Sequence, residues 1–98
     1  QGVLKMRFKV MGKLPESIPD TERTTFDHFT EARDSLAERL STFSDEEHAS
    51  GGPSGEARAE YFDNACAEVM GWKTAPRVGD SVGVFAGGYV FSILTDED

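Results

Sequence analysis

Cysteine is almost missing from this chain. Cys66 is the only one in 98 residues, so neither an internal disulfide nor a thiolate zinc cage can staple the fold. No apolar run approaches the 18 or so residues that a membrane helix needs, and no charged-then-apolar signal segment opens the sequence, so a soluble chain is expected. Large apolar residues are few as well. Leu, Ile, Val and Phe together number 21, barely above the floor of about 20% below which a highly charged chain stays disordered. One modest core in one domain is what such a chain can hold, which excludes a multi-domain enzyme. Cations are scarce too: ten Lys and Arg against 18 Asp and Glu give a formal charge of −8. That balance disfavours general binding to DNA, RNA or anionic lipid, because neutralising phosphates takes an excess of Lys and Arg.

The charge is unevenly placed. Lys5, Arg7, Lys9 and Lys13 all precede the first acid, Glu16, whereas residues 16–98 hold six cations against every one of the 18 acids. Gln1 and Gly2 read as the remnant of a cleavable expression tag, and a single domain is expected over 3–95. From Leu4 to Val10 the side chains alternate, with Leu4, Met6, Phe8 and Val10 on one side and Lys5, Arg7 and Lys9 on the other. A period of two is the mark of a half-buried strand. Gly12, Pro15 and Pro19 then make a connecting loop.

Thr24 followed by Asp27 resembles a capping box, so a helix is expected to start there. Its apolar stripe would be Phe26, Phe29, Ala32, Leu36, Leu40 and Phe43. The segment SDEEHASGGPSG at 44–55 has no large apolar side chain and reads as a flexible link. Ser54 would cap a second helix that buries Tyr61 or Phe62, Ala65 and Val69, and Gly71 with Trp72 would stop it near Met70. In SVGVFAGGYVFSILT, apolar alternation on both sides of Gly87-Gly88 predicts a hairpin with a two-residue turn. That turn pairs Phe85 with Val90 and Val84 with Phe91. It places Val82, Val84, Tyr89, Phe91 and Ile93 on one face and Phe85, Val90 and Leu94 on the other. The acidic end, Asp96-Glu97-Asp98, is expected to fray.

Strand, helix, helix, strand, strand in that order implies a two-layer α+β fold: β-α-α-β-β, a three-stranded sheet with both helices on one face. The other face is then uncovered and carries Lys5, Arg7, Lys9, Phe85, Val90 and Leu94, an apolar cluster rimmed by cations. Such a patch is a common form of protein interface. TFDHFTEARDSLAERL and VGDSVGVFAGGYVFSIL resemble pieces of small uncharacterised acidic proteins encoded by actinobacterial phages. The resemblance carries no activity and no site; it implies a host-directed or accessory role rather than a metabolic one.

Catalytic patterns are absent. The Cys-His options, Cys66 with His28 or His48, have no shared spacing, and a small buried thiol is the expected fate of Cys66, which also fits a reducing cytoplasm. Asp45, Glu46, Glu47 and His48 form a dense donor run, but not in the alternating order of a calcium loop, and no zinc-type spacing exists. Neither glycine pair forms a phosphate loop. The expectation is a non-enzymatic module without metal or cofactor. It would dock a protein partner or a second copy of itself through Lys5, Arg7, Lys9, Phe85, Val90 and Leu94. The alternative is an acidic mimic of nucleic acid, carried by Asp27, Glu31, Asp34 and Glu38. Single-strand nucleic-acid binding on Lys5, Arg7, Lys9 and Phe85 has one aromatic for stacking and adverse overall charge.

Overall fold

The computed structural model describes residues 5–97. Gln1, Gly2, Leu4 and Asp98, on which the tag, the strand start and part of the fraying end were placed, lie outside the described residues. Two helices lie on one face of an antiparallel sheet, as the hydrophobic pattern requires, but the sheet has four strands in the order β2-β1-β4-β3. They are β1 (Met6–Met11), β2 (Thr25–Phe26), β3 (Ser81–Ala86) and β4 (Tyr89–Glu97), with α1 (Phe29–Ser50) and α2 (Gly52–Met70) between β2 and β3.

The fourth strand replaces the expected start of the first helix. Thr25 and Phe26 pair with Lys9 and Phe8, and the Thr24 carbonyl accepts the Val10 N–H at 2.7 Å. The backbone of the supposed cap is therefore committed to the sheet, and the helix starts at Phe29 after an extended His28 that makes no side-chain cap bond. At its other end α1 continues through Ser50, so most of the expected flexible link is helical. Residues 44–50 hold no glycine or proline, and contacts at the side hold them: Glu46 bonds the loop before β2, and Glu47 pairs with Arg58 of α2 at 2.6 Å. Only Gly51 interrupts the helices, at φ 78, a left-handed conformation that costs glycine nothing. Ser54 lies inside α2 and not at its cap; Gly51 occupies that position. Gly55 lets the second helix start against the first, because a side-chain carbon there would strike the Glu47 carbonyl.

The hairpin has the expected register, Ala86 opposite Tyr89 through Ser81 opposite Leu94, around Gly87 and Gly88 at φ 58 and 84. The order left open by the sequence is settled by β1, which pairs with β4 from Met6 opposite Glu97 to Met11 opposite Ser92. Asp96 and Glu97, expected to fray, are rungs of this ladder. The core joins Phe8, Val10, Phe91 and Ile93 to Phe29, Leu36, Leu40, Phe62 and Val69. Phe43 stacks on Phe62 with ring centres 4.9 Å apart and meets Phe91 edge-on at 5.6 Å, tying both helices to β4. Met6, assigned to the core by its alternation, is 41% exposed at the end of the ladder. No helix among the described residues is long and apolar enough to cross a membrane.

Candidate interaction surface

Directly paired residues share a face, so the registers define the side of the sheet that the helices leave open. One rung runs Thr25, Lys9, Leu94, Ser81, the next Met11, Ser92, Gly83, and the last is Val90 with Phe85 beside the turn. Arg7 stands opposite Asp96 at the other end. The face is thus graded, with charge where β1 begins and apolar groups at the hairpin tip. Phe85 is 74% exposed and Val90 56%. Leu94 is half-buried between Lys9 and Ser81, Lys9 is exposed, Arg7 is half-buried, and Lys5 is exposed just before β1. The six expected residues lie along this side, but they do not form one cluster: Phe85 and Val90 sit at the tip, with Val90 four residues from Leu94 along β4.

Two exposed apolar groups extend the patch. Met11 is exposed one diagonal step from Val90. Around the edge of β3, Phe85 borders a groove of about 540 Å³ whose other wall is α2, through Arg58, Tyr61, Ala65 and Glu68, with Ala86 and Gly87 lining the hairpin side. Tyr61 is exposed there and Phe62 is the buried member of the pair. Spacing carried that signal, because Ala59, Phe62, Ala65 and Val69 recur at helical steps that Tyr61 misses. The groove itself had no signal, since it depends on how α2 sits beside β3.

On the opposite side of the turn, Lys13 donates to the Tyr89 hydroxyl at 3.0 Å and lies over its ring. That hydroxyl holds the Lys13 ammonium above its ordinary value. Glu46 is partly desolvated, which pushes its carboxyl up, but it accepts the Glu16 and Ser17 N–H groups and the Ser17 hydroxyl, and these bonds bring it below its ordinary value. Arg39 is 1% exposed, although it lies off the stripe of Phe29, Ala32, Leu36, Leu40 and Phe43; position 39 is three from Leu36 and four from Phe43, so it flanks that stripe. Burial lowers its pKa, Glu22 opposes the shift, and Nε and one terminal nitrogen have no acceptor.

No known family, curated protein or solved structure matches the chain. Function therefore rests on these side chains. The Cys66 thiol donates to the Ala37 carbonyl at 3.4 Å, and burial, with Asp63 adding to it, pushes its pKa up, away from the thiolate a nucleophile needs. The Asp45–His48 run is divided by the helix, Glu46 turning to Ser17 and Glu47 to Arg58. Among the described residues no group of three or more His, Cys, Asp or Glu side chains is placed to hold a metal ion. Glu31, Asp34 and Glu38 of α1 gather with Glu22 around Phe26 and Arg23, whereas Asp27 lies before the helix.

Proposed function

We propose that this chain is a non-enzymatic interaction module that docks a protein partner through the uncovered sheet face. The observation that carries this reading is Phe85, three-quarters exposed beside Val90 on a side without helices. Apolar surface of this kind, bordered by Lys9 and continued by Met11 and Tyr61, is favourable to bury against a partner. Phe85 and Val90 are exposed, so Phe85→Ser with Val90→Ser leaves the core untouched. Loss of the captured partner band in pull-downs, with an unchanged far-UV spectrum, is the expected result. Equal capture by the double variant, with sedimentation also unchanged, overturns the reading; loss of a dimer in sedimentation would show that the partner is a second copy.

A second reading has its own support. Glu22, Glu31, Asp34 and Glu38 make an acidic face that supports mimicry of a nucleic-acid backbone toward a basic cleft, although Arg33 engages Asp34 at 3.2 Å. Binding of that kind weakens steeply between low and high salt. Capture that is indifferent to salt but sensitive to Phe85 favours the sheet face instead.

A further inference from the structure

We propose that the free edge of β3 takes up an extended, basic segment of another protein as a fifth strand of the sheet, a mode that rests on the docking reading above and names its partner's chemistry. β3 ends the strand order, so one row of its backbone groups faces away from β4. The phase of the ladder identifies that row. Thr95 donates to the Asp80 carbonyl at 3.1 Å, and the two-residue turn makes Ala86 with Tyr89 the first bonded pair. In an antiparallel ladder bonded and unbonded pairs alternate. Val82, Val84 and Ala86 therefore bond to β4, while the N–H and C=O groups of Ser81, Gly83 and Phe85 point outward.

Sheet edges are ordinarily blunted by a charge, a proline or a bulge. SVGVFA, the whole of β3, contains neither charge nor proline, and its register with β4 is unbroken. Instead, at its Phe85–Ala86 end the edge opens into the groove beside α2. An extended chain laid there has a backbone partner in β3, and its alternate side chains meet Tyr61 and Ala65 on the helix side and Phe85 on the open face.

Charge selects among occupants. The charged residues that line the groove are Arg58 and Glu68, and Glu47 already holds Arg58 at 2.6 Å, which leaves the Glu68 carboxylate facing the space. A segment carrying Lys or Arg complements Glu68 and the chain's charge of −8. A second copy brings the same acidic helix and a charge of −8, which opposes pairing of two β3 edges.

The test is selection of displayed random dodecapeptides on the wild-type protein. Expected are sequences alternating Val, Ile, Phe or Tyr with Lys or Arg, whose synthetic forms slow amide exchange at Gly83 and Phe85. Methylating one alternate set of peptide nitrogens should weaken binding about tenfold or more, while methylating the other set changes it little, because an added strand bonds through one edge. Glu68→Lys, at an exposed site, should weaken the basic peptides several-fold. Selected peptides that tolerate both methylation patterns, or that are acidic, overturn strand addition. If those peptides still lose binding on Phe85→Ser with Val90→Ser, the docking face survives without the added strand. No enrichment, with partner capture still sensitive to the double variant, overturns strand addition alone; no enrichment and no sensitivity overturn both.

Discussion

Arg39 and Glu46 are two charged residues of α1 that act on stability in opposite directions. Arg39 is buried within charge range of Glu22 in the loop before β2, with two nitrogens unbonded, a cost that its aliphatic stem offsets by packing. Arg39→Met keeps the stem and removes the buried charge, and it is expected to raise stability by about 1 kcal/mol in urea unfolding. Arg39→Ala also removes the stem and should cost about 2 kcal/mol in the same measurement. Glu46 acts the other way. Its folded-state pKa is below the ordinary 4.5, so its contribution is present above that value and is lost as the pH falls through the lower, folded one. The loop at 12–24 should therefore loosen under acid, and Glu46→Gln should cost roughly 1 kcal/mol at neutral pH and nothing further in acid. Comparing urea midpoints of the two proteins at neutral pH and at pH about 3 checks the sign. Neither role could be read from residue type, since both depend on how the loop holding Ser17 and Glu22 is placed beside α1.

Among the elements, the hairpin was the most legible, because alternation on both sides of a glycine pair leaves one register that keeps Val84, Phe91 and Ile93 inside. Its two glycines are not equivalent. A side chain on Gly88 would meet open space, so Gly88→Ala should cost about 1 kcal/mol of left-handed strain alone. At Gly87 the added carbon would collide with the Phe62 ring, so Gly87→Ala should cost about 2 kcal/mol or more and shift the Phe62 ring resonances. Equal melting temperatures for the two variants would contradict this packing. The start of α1 departs from its local signal for a related reason. Thr24 and Asp27 satisfy a local capping rule, but pairing of Thr25 and Phe26 with β1 satisfies backbone bonds and buries Phe26 together. The stretch at 44–50 reads as a link because it lacks large apolar groups; side contacts from Glu46 and Glu47, not a buried stripe, hold it helical.

At the scale of the whole molecule, charge and exposed apolar surface oppose one another. Phe85, Val90, Met11 and Tyr61 favour association, while a charge of −8 on every copy resists it. At low ionic strength the protein is expected to sediment as a single species of 10.7 kDa, and added salt should promote weak self-association by screening that repulsion. A stable dimer at low salt would show that the apolar face outweighs charge. The chemistry of the amino acids alone determined the class of fold, the hairpin and the side on which Phe85 and Val90 stand. Periodicity is a local property, and each strand or helix must bury its own apolar side. Tertiary structure decided the rest: the pairing of β1 with β4, the short strand β2, the burial of Arg39 and the groove between β3 and α2. These depend on contacts between segments distant along the chain, where competing backbone partners and the fit of one element against another select among arrangements that are locally equivalent.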